Sequence, residues 1–440
     1  VLQNGRAKAL MNVGGHPRTF RAAGPQAFAF FAFHRNGPVA LILLSLHMQL
    51  RMTAVLATAI CLGTLHAQDD LVKKASSTAV DTTGYRFTTV VSAEATPVEN
   101  QASSGTCWSY SANSFLESEM IKAGGPAIHL AKMYTARKSY EDKADSYVRM
   151  HGSLNYGDGG EPHDVLNMYA KYGTMPEENY LGLNYGTDKN QFGELQAVLK
   201  AMLDAVIKAP NRGKLTPVWK KAFSGVLDAY LGPVPESFTY QGKSYTPQRF
   251  AKEVVKLDPA NYEEFISVTS APYWEKSMMM VPDNWAFEYC WNIPMEDMVS
   301  VIDNALKNGY TVAWGGDVSE PSFSWKNGIA WVPVTPADDL TKEQKADLFS
   351  GPKPEMQITP ELRQLAFDDY STGDDHGMQL TGIAKDQDGN EWYIVKNSWG
   401  VKNDHEGYLY MSKNYLRYKT TSFMVNRKAV PADVLKKLKG

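Results

Sequence analysis

The sequence predicts an α+β fold with two packed halves, helices first and strands last. Three observations carry this. From Cys107 to about residue 265, apolar residues recur at helical spacing in segment after segment. In the last third, residues 379–385, 391–396 and 407–412 are apolar or alternate in strand fashion. Between the first two of these, Asp386-Gln-Asp-Gly389 supplies a hairpin turn. With 440 residues, 43% hydrophobic and 21% charged, the composition is that of a globular protein able to bury a sizeable core.

The first 67 residues stand apart. They hold six basic residues (Arg6, Lys8, Arg18, Arg21, Arg35, Arg51) and neither Asp nor Glu. Met48-Gln-Leu-Arg-Met52, the apolar run 53–62 and Gly63-Thr-Leu-His-Ala67 give a basic start, an apolar core and a small residue at the end. That is the pattern of a secretory signal peptide, so cleavage after Ala67 and export to a periplasm or the medium are expected. The run is too short to span a bilayer well, and no stable membrane association is expected once it is removed. Residues 1–47, with a second apolar stretch at 38–46, fit neither a signal peptide nor a folded domain. A translation start placed too far upstream is preferred for them over a membrane anchor.

The expected organisation is therefore a leader over 1–67 and one domain over 68–440. That domain keeps 39 basic and 48 acidic residues, a net charge of −9, which weighs against nucleic acid as a partner. It also keeps two cysteines, Cys107 and Cys290. Both are expected reduced, with Cys290 simply packed.

Along the domain, residues 86–91 have strand character. Cys107 opens a helix whose apolar positions are Trp108, Ala112, Phe115 and Leu116, with Ser103 and Ser104 as caps before it and Gly124-Gly125-Pro126 after it. Residues 130–149 and 163–172 read as helices on either side of the tight turn Gly157-Asp-Gly-Gly160. Helices over 192–208, 216–231 and 247–255 follow, with a small hairpin at 240–245. The segment 278–294 is aromatic and irregular. A helix over 294–308 and a strand over 310–315 lead into the strand-rich third, which closes with a strand at 420–426.

A thiol at a helix entrance sits where unpaired N–H groups and the macrodipole favour an anion. The thiolate is the nucleophilic form of cysteine, so a lowered Cys107 pKa is expected. On this stretch alone, a small buried hydrophobe is an equal reading. A nucleophile needs a base, and the base needs an orienting partner. His376, in Asp374-Asp-His-Gly-Met378, leads into a strand, and Asn397 ends the next one. An Asn carboxamide accepting from one imidazole nitrogen leaves the other to face the thiol, giving Cys107–His376–Asn397. Trp399 is placed to roof that hydrogen bond. Gln101, six residues before Cys107, and the Cys107 N–H are the expected oxyanion donors.

The other histidines after the leader have plainer readings. His129 reads as a cap or surface residue, His151 and His163 as solvated neighbours of the glycine turn rather than metal ligands, and His405 as exposed. Met278-Met-Met280 reads as core, and Lys436-Lys-Leu-Lys439 as a solvated helix face. No metal and no organic cofactor are expected.

Gln101…Gly105-Thr-Cys107-Trp108, His376-Gly-Met and Asn397-Ser-Trp-Gly400, in that order, resemble the papain-like cysteine peptidases. An ordinary member carries its His and Asn ~130–150 residues past the Cys. Here the gaps are 269 and 290 residues. The excess, an insertion at about 186–293, resembles the bleomycin hydrolase and aminopeptidase C branch through Tyr240-Gln-Gly-Lys-Ser-Tyr-Thr-Pro247, Phe250 and Trp314-Gly-Gly-Asp-Val318. Ser104 stands where secreted papain relatives carry a disulfide cysteine. The resemblance covers roughly residues 85–430.

It implies a two-lobed papain-like fold, a helical lobe plus an antiparallel β lobe with a helical insertion. It further implies peptide substrates, a cleft lined by Gly159, Gly160 and Trp108, a structural Asp317, and a hexamer. By the resemblance, the chain is an aminopeptidase acting through a thioacyl-enzyme. Two alternatives stay open: an endopeptidase with an open cleft, and a non-catalytic peptide-binding protein on the same fold. Relatives in this branch end in an arm that lies in the cleft, whereas this chain ends in a short basic amphipathic segment, Ala429 to Gly440.

Overall fold

The computed structural model describes residues 84–438 apart from 211, 337 and 338. The leader, its cleavage site and Cys61 lie outside the described residues. Strand β1 (Thr88–Ser92) precedes three helices, α1 (Cys107–Lys122), α2 (Lys132–Arg149) and α3 (Pro162–Tyr172). Helix α1 is buried from Trp108 to Met120 on every side. It is the central helix against which both halves pack, which is why its polar positions are Ser, Asn and Glu held by hydrogen bonds rather than left to water. Helix α3 starts with a reciprocal capping box between Glu161 and Asp164 and stops at Gly173, which takes a φ of 74°.

The insertion begins as read. Helices α4 (Phe192–Lys208) and α5 (Val218–Leu231) bury Leu195, Leu199, Leu203, Phe223, Leu227 and Leu231 against α2. The hairpin β2 (Phe238–Tyr240) and β3 (Lys243–Tyr245) and the short helix α6 (Pro247–Phe250) follow. Its second half departs from the helical reading. Strands β4 (Tyr262–Ile266), β5 (Glu275–Met278) and β6 (Tyr289–Asn292) extend the sheet of the other lobe. They are short and carry charge, so their sequences show little strand alternation.

Helix α7 (Met295–Lys307) and strand β7 (Val312–Gly316) open the β lobe. The edge strands β8 (Phe323–Ser324) and β9 (Ile329–Ala330), helix α8 (Pro360–Asp368), β10 (His376–Lys385), β11 (Glu391–Lys396), β12 (Tyr408–Ser412), helix α9 (Lys413–Lys419) and β13 (Thr420–Asn426) complete it. The sheet order is β5-β6-β4-β13-β7-β10-β11-β12-β9-β8, with β1 added to β10. β10 pairs antiparallel with both β7 and β11, so its first residue, His376, lies in the middle of the sheet.

The last helix, α10 (Ala432–Lys437), buries Val434 in the β-lobe core and leaves Lys436 and Lys437 exposed. Lys437 Nζ reaches Asp297 at 3.4 Å and sits over the Trp274 ring. Among the described residues no helix is long and apolar enough to cross a membrane.

Candidate active site

Cys107 is the first residue of α1, and no side chain caps that helix. Ser104 does not cap it: its hydroxyl donates to the Gln101 carbonyl at 2.7 Å and meets Thr106 Oγ1 at 2.6 Å. The Ser109 and Tyr110 N–H groups donate to the Thr106 carbonyl, and no capping side chain takes the N–H groups of Cys107 and Trp108 ahead of them. The expected drop in thiol pKa is nevertheless absent. Burial pushes the Cys107 thiol up to about 12, and the Asp283 and Asp158 carboxylates add to it. Backbone N–H groups of Gly377 and Trp108 pull the other way without prevailing. The helix end was visible in the sequence, whereas the desolvation and the two carboxylates were not. Cys107 and Cys290 are both free.

His376 reaches the helix mouth through its neighbour. A side chain at Gly377 would lie 3.3 Å from the Trp108 backbone and 2.7 Å from Ser111 Oγ, so only glycine lets β10 approach α1 this closely. His376 Nε2 lies 2.8 Å from Asn397 Oδ1, which also accepts from the Ser398 N–H at 2.7 Å. Both His376 and Asn397 are buried. The Trp399 ring packs on the imidazole, centroids 4.6 Å apart, and keeps water from the His–Asn bond.

Gln101 is oriented at both ends of its carboxamide. Ser398 Oγ donates to its Oε1 at 2.6 Å, and its Nε2 donates to the Ser104 carbonyl at 2.7 Å. One N–H of that amide is left over, on the loop that leads to Cys107.

The glycine turn is held from below. Buried Lys143 donates to the carbonyls of Gly157 (3.1 Å) and Gly159 (2.8 Å), and Tyr140 and Trp108 donate to that of Asp158. Trp108 is 1% exposed, and its ring lies where a Gly160 side chain would begin. It thus supports the turn and offers no surface to a substrate, a correction to its reading as a cleft-lining residue. Over Gly159 lies a group the sequence did not reveal. A Cβ there would fall 1.8 Å from Asp283 Oδ2. Asp283 comes from the irregular segment of the insertion; Asp374 Oδ2 accepts from its N–H at 2.8 Å and Asn155 donates to its Oδ1 at 3.0 Å. Burial, then repulsion from Asp374, raise the Asp283 carboxyl far above the ordinary carboxylate range, and Asp374 is raised as well. Asp317 is structural: its carboxylate accepts from the Ser319 and Gly373 N–H groups and fixes the loop leading to His376.

Behind α1 lies a second charged group. Lys132 bridges Glu117 (2.7 Å) and Glu99, and His129 adds to both carboxylates. His129 is therefore part of a buried network and not a surface cap. His163 is also buried, with Nδ1 2.8 Å from Glu264 Oε2, contrary to a solvated loop position. His405 is half-buried against Tyr410, while His151 is exposed as read. Of the methionine run, Met279 is core and Met280 is exposed.

The model of the Peptidase C1-like family matches residues 236–440. The chain is 25% identical to aminopeptidase W of Lactobacillus delbrueckii subsp. lactis, over 78% of this chain and 83% of that protein. It is 24% identical to bleomycin hydrolase of Homo sapiens, over 85% and 89% respectively. Among solved structures, pepW from Lactobacillus rhamnosis HN001 superposes with a TM-score of 0.63 at 20% identity, covering 80% of this chain and 84% of that one.

Proposed function

We propose that this chain, a papain-like cysteine peptidase of the bleomycin hydrolase branch, is an aminopeptidase whose cleft ends at the Asp283 carboxylate. Cys107 attacks the scissile carbonyl as His376 takes its proton. His376 then protonates the leaving amine, with Asn397 holding the ring, and water hydrolyses the thioacyl-enzyme. The spare Gln101 N–H and the Cys107 N–H receive the oxyanion.

One observation carries the exopeptidase reading. An extended substrate needs an open strip of backbone along Gly159 and Gly160, and Asp283 lies across it at Gly159. A chain that ends there with an α-ammonium neutralises the carboxylate, whereas a chain that continues must displace it. The relatives named aminopeptidase W and aminopeptidase C support the same reading. Cys107→Ala should abolish turnover with the fold intact, and N-acetylation should abolish cleavage of an otherwise good substrate by the wild type. Normal turnover in the variant would remove the nucleophile assignment. Undiminished cleavage of acetylated peptides would favour the open-cleft endopeptidase.

Export follows from the leader pattern over 48–67. N-terminal sequencing of protein from its native cells should begin at Gln68, and a start upstream of Met48 would contradict it. The hexamer implied by the resemblance is tested by light scattering on the purified protein, where a monomer mass would reject it.

A further inference from the structure

We infer that His163, Glu264 and Cys290 form a zinc site that pins the helix following the cleft glycines to the insertion strands. One ligand atom from each residue lies within 4.8 Å of the others, and all three residues are buried. They come from three elements, α3, β4 and β6. A thiol, an imidazole and a carboxylate are the donor set that favours Zn²⁺ over the hard cations.

The arrangement around the imidazole fits a ligand. Nδ1 faces Glu264 Oε2 at 2.8 Å, and the ring also interacts with the Cys290 thiol. Nε2 is buried without a hydrogen-bond partner, and 4.0 Å from it lies Asp164 Oδ1, which is equally buried and unpartnered. A metal on Nδ1 turns Nε2–H toward that carboxylate, the outer-shell pairing that zinc-bound histidines commonly make. Ser422 donates to the other Glu264 oxygen at 3.1 Å and fixes that carboxylate. A cavity of about 180 Å³, lined by His163, Asn167, Glu264 and Glu288 among others, adjoins the cluster and supplies water for the fourth position.

The rival readings are weaker. Cys290 is 1% exposed, so it is no second nucleophile. The Glu99–Glu117–His129 group has comparable spacing but already holds a cation, the Lys132 ammonium between its carboxylates. Among the described residues, Glu264 pairs with His163 and with no Lys or Arg. Zinc takes Cys290 as its thiolate, so binding releases the thiol proton to solvent. The metal takes no part in the reaction assigned to Cys107.

Titration with Co²⁺ and Zn²⁺ tests this, in Cys107→Ala protein so that the nucleophile thiol does not compete. A thiolate-to-cobalt charge-transfer band should appear in Cys107→Ala and vanish in Cys107→Ala/Cys290→Ser. Zinc should bind at one equivalent and raise Tm, and His163→Gln in the same background should weaken it more than about 100-fold. The His163 variant leaves Cys290, the domain's one thiol besides Cys107, unchanged, so it serves if the Cys290 variant fails to fold. No band in Cys107→Ala, an undiminished band in the double variant, or zinc affinity unchanged by His163→Gln overturns the site.

Discussion

Two acidic groups flank helix α1, and they are solved differently. Behind the helix, Glu99 and Glu117 close on the Lys132 ammonium, with His129 alongside. Burial alone would raise Glu99, yet Lys132 and His129 bring it down to about 2. In front of the helix, no Lys or Arg bridges Asp283 and Asp374 among the described residues. Lys143 is near, but it donates to the Gly157 and Gly159 carbonyls. The Asp283 and Asp374 carboxyls rise instead of falling. An acidic group that serves the fold carries its own counter-charge, whereas one that lacks it, in a cleft beside a nucleophile, is shaped for a cation that arrives with the substrate.

Breaking the compensated group has the largest expected effect. Lys132→Met leaves two buried carboxylates facing each other and should cost about 3–5 kcal/mol in urea unfolding. A cost below ~1 kcal/mol would mean that water reaches the group. Relieving the uncompensated group should do the opposite. A carboxyl whose folded pKa is raised destabilises the fold as pH climbs from its unfolded value through the folded one. Asp283→Asn should therefore raise Tm at pH 8 by on the order of 2–4 °C, with little change at pH 4. The same substitution removes a negative charge near Cys107, so the pH at which iodoacetamide alkylates that thiol should move down.

The smallest effect belongs to His129. Its hydrogen bonds to Glu117 and Glu99 raise it from 6.5 to about 9. Its contribution is complete below pH 6.5 and lost as pH rises through about 9. His129→Gln should flatten the stability profile over that interval by about 1 kcal/mol. An unchanged slope would place the titration elsewhere.

How much was legible follows from where the physics is local. The helix opening at Cys107, the histidine entering one strand and the asparagine leaving the next are features of short segments, and their hydrogen-bonded meeting follows from hairpin pairing. Asp283 was not legible because its place over Gly159 is made by an irregular loop of the insertion, far along the chain. The thiol pKa was misread for a related reason: a helix terminus can be seen in sequence, but burial and facing carboxylates cannot. Strands β4 to β6 were missed because their pairing partners in the β lobe, not their own alternation, make them strands.

The central claim is that Asp283 reads a free amino terminus. It is tested most directly by the ratio of kcat/KM for a free-amine peptide to that for its N-acetylated form, in wild type and in Asp283→Asn. The account predicts a large ratio in the wild type that falls about 10–100-fold in the variant, through loss on the free amine and gain on the acetylated chain. A ratio unaltered by the substitution would contradict it.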